Sequence, residues 1–229
     1  MSIIISIIWL LSFIPEQQKE ILVNESFNYP DGPLPSAWWS EGAEARIQDG
    51  HLFVDADTST PRVSTIWLDY HLSGNLQVEF DVKVVSSSDE ANNINCFFLY
   101  SDPFEKPLRS TAKERESGSY NLYHKLNGYI FTNVTNGNPP NVRVRFRDNP
   151  GFHLLGEIFV NDLAPVDIHH IKIVKNSAGF QYWIDDKMIL ELEDDQFNTL
   201  HEEGLFGFRT WHTSLWWDNL IITQLDSTR

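Results

Sequence analysis

Cysteine is almost missing from this chain. Cys96 stands alone among 229 residues, which excludes an internal disulfide and any Cys-rich zinc site. Basic residues are scarce as well. Lys and Arg number 17 against 32 Asp and Glu, and the formal charge of −15 repels nucleic acid and anionic membranes alike. No stretch keeps a helical period long enough for an amphipathic helix, and there is no internal repeat. Long apolar runs are missing too, apart from Ile3 to Ile14. That run is too short for a membrane span and suits the hydrophobic region of a signal peptide, although no basic residue precedes it and no small-x-small cleavage site follows. The expectation is an exported protein (periplasmic, cell-surface or extracellular) in which residues 1–19 are a signal peptide or apolar N-terminal segment. Residues 20–229 then form one domain, with no stable membrane insertion once that segment is removed.

Several catalytic signatures are also absent. There is no Ser nucleophile elbow, no Gly-rich phosphate loop and no Glu-x-Asp-x-x-Glu strand motif. His169-His170 has no third ligand at metal-like spacing, and Asp185-Asp186 is a turn rather than a calcium loop. No cofactor is implied. A structural calcium joining Glu25 to Asp218 is a secondary reading.

What the chain does contain is short strands and turn chemistry. Leu76 to Val85 alternates apolar Leu76, Val78, Phe80, Val82 and Val84 with Gln77, Glu79, Asp81 and Lys83, the pattern of a half-buried strand. Ile94 to Tyr100 is apolar on both faces and reads as a central strand. Asp49-Gly50 marks a tight hairpin. Tyr29 to Pro33 and Asn136 to Pro140 mark turns. Ile168 to Val174, Phe180 to Ile184 and Met188 to Leu192 form a meander, and Asp194 to Glu203 is polar with room for one helical turn. Ser101 to Ser119 carries two prolines, many charges and no apolar period. It reads as a long loop, of a length that is uncommon unless functional or mobile. Twelve to fourteen short strands in all predict an all-β fold of two packed antiparallel sheets, a jelly-roll sandwich of the concanavalin A-like or LamG-like kind.

Aromatic residues make up 13% of the chain, with 8 Trp, more than a core of this size needs, so some rings are expected to face a ligand. The stretch Leu205 to Leu225 reads as two strands around a polar, aromatic-rich turn with Arg209, Trp211, His212, Trp216, Trp217 and Asp218. In Val142-Arg143-Val144-Arg145-Phe146-Arg147, alternation sends the apolar residues to the core and three guanidinium groups to the other face, about 7 Å apart. Such a row needs compensation, either from acidic side chains on neighbouring strands or from an anionic ligand. Upstream, a strand from Tyr120 to Phe131 would put Tyr120, Leu122 and His124 on one face and Asn121, Tyr123 and Lys125 on the other.

This inventory suits β-elimination on a uronate-bearing polysaccharide. Arg143, Arg145, Arg147 and Arg209 would hold the carboxylate, with Trp211, Asn95, Glu41 and Trp39 as further substrate contacts. Tyr120, Tyr123, His124 and His212 would move the protons. The partner is then an acidic polysaccharide or oligosaccharide. A carbohydrate-binding protein without catalysis uses the same groove. A glycoside hydrolase needs two carboxylates drawn from Glu41, Glu79, Asp81 and Asp218.

Several stretches together resemble the YesU-like proteins, jelly rolls from bacterial loci for degrading pectic and other acidic polysaccharides. They are WWSEG at Trp38 to Gly42, STIWL at Ser64 to Leu68, INCFFLYSDP at Ile94 to Pro103, the RVRFR strand, and GLFGFRT followed by WWDNLIITQL. The resemblance implies an exported glycan-related protein whose concave sheet takes up saccharide. It brings no catalytic motif to map onto this chain.

Overall fold

The computed structural model describes residues 19–135, 141–161, 163–164, 167–197 and 200–226. The expected N-terminal apolar segment and the turn at Asn136 to Pro140 lie outside the described residues. The chain runs through β1 (Glu20–Glu25), β2 (Gly32–Pro33), β3 (Trp38–Gly42), β4 (Ala45–Gln48), β5 (His51–Asp55) and β6 (Val63–Leu68). It continues with β7 (Leu72–Ser73), β8 (Leu76–Ser86), β9 (Ile94–Ser101), β10 (Asn127–Val134), β11 (Val142–Asn149) and β12 (His153–Val160). It closes with β13 (Ile168–Asn176), β14 (Gly179–Ile184), β15 (Lys187–Glu193), β16 (Glu203–Trp211) and β17 (Ser214–Gln224).

These strands make two antiparallel sheets. The first runs β15-β14-β13-β8-β17-β5-β4-β2, with β1 also on β17. The second runs β12-β11-β10-β9-β16-β6-β3, with β7 on β16. The two-sheet sandwich expected from the sequence is what forms. Between the sheets lies one apolar core. Val78, Phe80 and Val82 from β8 meet Phe98, Phe131, Phe206 and Phe208 from the second sheet. The edges of these ring contacts follow ordinary aromatic geometry, such as Phe80 across Phe208 at 5.0 Å and 80°.

The last two strands do not pair with each other. β16 sits between β9 and β6 in the second sheet, while β17 sits between β8 and β5 in the first. The turn at His212, with φ 51°, carries the chain from one sheet to the other. The aromatic cluster read from the sequence is therefore split. Trp217 stacks on Phe208 in the core, and Trp216 packs on His51 beside Asp218. Arg209 and Trp211 belong to the other sheet.

Two corrections concern the middle of the chain. The segment 101–126 is not an open loop. It carries a 3₁₀ helix, Leu108–Arg115, and a short one, Tyr120–Leu122, and folds onto the outer face of the second sheet as a packed cap. Leu108, Tyr123 and Leu126 join Trp67, Phe97, Tyr100 and Ile130 in a second apolar cluster. This explains why Ile94 to Tyr100 is apolar on both faces, with core on one side and cap on the other. It also means that Tyr120 to Lys125 is not a strand, so its side chains do not alternate between faces. Strand β12 has no apolar period in the sequence because it is an edge strand, with Leu154, Ile158 and Phe159 exposed.

A pairing within the first sheet, Asp55 of β5 opposite Ser214 of β17, predicts acid behaviour. Asp55 accepts hydrogen bonds from Ser214, Thr58 and Asp57. Burial pushes its pKa up, but those bonds together outweigh burial and bring it down from 3.8 to about 2. A depressed carboxylate adds stability above its unfolded pKa, and this is lost as pH falls through the folded value. In Ser214→Ala, acid unfolding is expected to begin at higher pH and stability to fall less steeply between pH 4 and pH 2, roughly the window of that shift. Urea titrations across that range read the change directly.

Candidate functional site

Strand register places the chemistry of the second sheet on one transverse line. Across β3, β6, β16, β9, β10, β11 and β12 the directly opposed residues are Glu41, Thr65, Arg209, Asn95, Thr132, Arg145 and Glu157. One pleat further along lies the apolar line Trp39, Trp67, Gly207, Phe97, Ile130, Arg147 and Leu154. The cap covers much of the apolar line. The polar line is left partly open and forms the floor of a cavity of about 480 Å³, a size suited to a small ligand or part of a larger one.

Arg209 and Arg145 stand on the cavity floor with Asn95 and Thr132 between them. Tyr120 and Ser119 of the cap form one wall, and Val63, Val134, Asn93 and Trp211 another. None of the lining residues is acidic. Arg209 is fully buried and donates to Thr65 Oγ1 and the Gly118 carbonyl. Its guanidinium lies over the rings of Tyr120 at 4.5 Å and Tyr123 at 4.9 Å. Its Nε has no partner, and it pairs with no carboxylate among the described residues. Burial lowers its pKa, yet a guanidinium stays charged at any physiological pH. Asn95 Oδ1 and the Tyr120 hydroxyl, both buried, also lack partners of good hydrogen-bond geometry. Buried polar groups left open around a cavity are what a bound ligand would satisfy.

The arginine strand behaves as its alternation predicts. Val142, Val144 and Phe146 enter the core, and the three guanidinium groups share the other face. Compensation is incomplete. Glu157 lies 3.2 Å from Arg145 Nε and 3.8 Å from Arg143 Nε, and Arg147 stacks over Phe152 at 4.4 Å. One carboxylate thus serves two guanidiniums. The pKa of Arg145 is lowered by burial and then by Arg147 and Arg143.

Other expected residues lie elsewhere. Glu41 is buried beneath the cap and takes a bidentate pair from Arg115, with Arg115 Nη2 to Oε1 at 2.8 Å. It also accepts the Tyr123 hydroxyl at 2.7 Å and Trp67 Nε1 at 3.1 Å. Arg115 completes its bonds on Thr111 and the Leu108 carbonyl. This network fastens the cap to the sheet, so neither Glu41 nor Tyr123 reaches the cavity, contrary to their expected roles. Burial, followed by the Glu41 charge, pushes the Tyr123 pKa up. Trp39 stacks on Trp67 beside Arg109, away from the cavity lining. His124 stacks on Phe152 at 4.0 Å and meets the edge of Tyr120, so it stands behind the wall. Burial, then Arg209 and Arg147, lowers its pKa and keeps it neutral. His212 pairs with Asp89 and stacks on Trp211 outside the lining.

Glu79, Asp81 and Asp218 are on the first sheet, where Asp81 holds His170 and Asn219. Glu25 caps its own turn by accepting from Phe27 and Tyr29. Among the described residues no three His, Cys, Asp or Glu side chains converge as metal ligands, and no helix is long and apolar enough to cross a membrane. Sequence reading missed Arg115 and, among others lining the cavity, Asn93, Thr132 and Val134. Arg115 sat in a segment without period, and the other three carry no distinctive side-chain chemistry. Thr132 is set apart by its register with Asn95 and Arg145, and Asn93 and Val134 only by their place on the cavity wall.

The model of a domain family of unknown function, DUF6250, matches residues 58–220. The chain belongs to the DUF6250 family. No curated protein matches it. Among solved structures this DUF6250 chain is similar to a protein of unknown function with a galectin-like fold from Bacillus subtilis, at 17% identity and TM-score 0.77, covering 93% of this chain and 100% of that one. It is also similar to the carbohydrate-binding module CBM66 from Bacillus subtilis, at 16% identity and TM-score 0.56, covering 85% and 100%. An endo-β-1,3-glucanase from Pyrococcus furiosus follows at 10% identity and TM-score 0.61, covering 94% and 98%. At these identities the likeness is one of fold, a galectin-like jelly roll.

Proposed function

We propose that the cavity on the second sheet binds a carboxylate-bearing saccharide, in an exported glycan-related protein. The observation that carries this reading is Arg209, a fully buried cation without a carboxylate partner among the described residues, facing Arg145 across Asn95 and Thr132. Burying an unpaired charge is costly, and a ligand carboxylate would offset that cost with charge-assisted hydrogen bonds. The remaining polar groups, from Asn95, Thr132, Ser119 and Tyr120, suit sugar hydroxyls, and Trp211 suits the apolar face of a ring. Saccharide rather than another anion is favoured by analogy with the carbohydrate-binding and glucanase neighbours. A relation to acidic-polysaccharide loci of the YesU-like kind belongs to the same reading. No metal enters it.

A second reading, β-elimination, is favoured by the Tyr120 hydroxyl, which lies beside Arg209 on the cavity wall without a hydrogen bond of good geometry. Burial raises its pKa, opposed by Arg209, Arg147, the Thr132 hydroxyl and Arg145. In that chemistry the Tyr120 O–H gives its proton to the leaving oxygen as that C–O bond breaks and the C=C bond forms, and the same phenolic oxygen takes the proton α to the carboxylate, so that Tyr120 ends protonated as it began. Two-carboxylate hydrolysis finds no support in a cavity without acidic lining.

Gel retardation of the protein by pectic, glucuronan, alginate and ulvan-type polysaccharides tests the binding. Retardation by at least one, lost in Arg145→Ala, is the expected outcome. Failure of all of them to retard the protein would sink the proposal. Ultraviolet absorbance of an unsaturated uronate, appearing with wild type and absent in Tyr120→Phe while binding persists, marks elimination. A flat trace leaves a binding protein.

A further inference from the structure

We infer that the cavity takes the end of an acidic saccharide chain rather than its middle, with the chain leaving over the edge strand β12. This rests on the reading of the cavity as an acidic-saccharide site. The polar line has a shut end and an open one. Along it the residues are exposed by 0% at Thr65, 1% at Arg209, 3% at Asn95 and 5% at Thr132. Side-chain exposure then rises to 17% at Arg145 and 31% at Glu157.

The shut end is built by backbone contact. The Gly42 N–H donates to the Glu116 carbonyl at 3.0 Å, and the Gly118 carbonyl accepts from Arg209 at 3.0 Å. Gly118 and Gly42 approach so closely that a Cβ on Gly118 would lie 3.1 Å from the Gly42 Cα. Both glycines have positive φ, so the close approach and the backbone conformation call for the same residue type. A polymer has no passage between cap and sheet there. At the open end Phe159 is 51% exposed on β12, directly opposite Arg143, whose guanidinium lies 5.9 Å from the ring centroid. From Arg209 to β12 is four strand spacings, roughly 19 Å, a track longer than one sugar. Arg209 therefore holds the terminal acidic unit, and Arg145, Arg143 and Phe159 meet the units behind it.

Calorimetric titration with galacturonate and with oligogalacturonates of increasing length tests this, with glucuronate and mannuronate series run alongside. The expected result is one protein bound per chain at every length, with affinity per chain levelling off once the track is filled. Phe159→Ala, an exposed position, should weaken the longer oligomers by about threefold to tenfold and leave the monomer unchanged. A number of bound proteins that grows with chain length overturns end recognition while the acidic-saccharide reading stands. An identical response of Phe159→Ala and wild type to all lengths overturns the exit over β12. Absence of binding in all three series overturns the acidic-saccharide reading and this inference with it.

Discussion

Arg209→Met is expected to abolish acidic-saccharide binding while leaving the ligand-free protein as stable as wild type or more so. The two halves of this result come from one fact. Arg209 is a buried cation whose direct contacts are neutral, namely Thr65, the Gly118 carbonyl and the faces of Tyr120 and Tyr123, while Glu41, already bound to Arg115, acts on it only at a distance. Removing it gives up two hydrogen bonds from a charged donor, each worth about 1.5–3 kcal/mol. It also relieves the burial of an unpaired charge, an effective penalty of several kcal/mol. Replacing buried charge with an apolar side chain of similar volume is often neutral or stabilising for this reason. On the ligand side, losing one member of a buried, hydrogen-bonded charge pair costs about 2–5 kcal/mol, which is on the order of 30- to 3,000-fold in affinity. Thermal shift with and without a uronate oligosaccharide reads both halves at once. A variant that melts far below wild type would show that Arg209 is structural, and its site role would lose its main support.

Breaking the Glu41–Arg115 pair should have the largest effect on stability. Glu41 accepts from Arg115, Tyr123 and Trp67, and every one of these groups is buried. In Arg115→Ala the Glu41 carboxylate would be left beneath the cap without its cation, a loss of about 3–5 kcal/mol. For a protein of this size that lowers Tm by on the order of 10 °C. Replacing both at once, Glu41→Gln with Arg115→Met, should recover a good part of the loss, because no charge then remains buried. Limited proteolysis within residues 102–119 should quicken in the single variant and slow again in the double one. This outcome also separates structure from catalysis. A catalytic Glu41 would show lost activity in Glu41→Gln at unchanged stability, whereas a fastener shows the reverse.

The sandwich itself was legible because period-2 alternation survives wherever one face of a strand is buried and the other wet. Leu76 to Val85 and the arginine strand show this plainly, and both came out with the faces expected. Legibility failed where a strand or segment departs from that condition. Strand β12 is an edge with its apolar side chains exposed, so HLLGEIFV carries no clear signal. The cap is held by a few anchors, Leu108, Thr111 and Arg115, set singly among charged residues, and so it resembles a loop. Taking Tyr120 to Lys125 as a strand misassigned Tyr123 and His124 together, since both depended on that alternation. Of the residues picked by type, Arg209, Arg145, Asn95, Tyr120 and Trp211 line the cavity. Residue type also picked Glu41 and Trp39, whose side chains serve the cap. The difference between the two groups lies in long-range register and in the cap's path, neither of which leaves a local trace in sequence.

The central claim is that Arg209 and Arg145 bind the carboxylates of an acidic saccharide, and one comparison tests it most directly. The affinity of a uronate oligosaccharide would be measured against that of the same oligosaccharide with its carboxyl groups reduced to alcohols. Ring, linkage and hydroxyls are unchanged, and only the charge and its two acceptor oxygens are lost. The account predicts that the acid binds and that the reduced form binds at least about 30-fold more weakly, the lower bound for a buried charged contact. Equal affinity for both, or preference for the neutral chain, would contradict it.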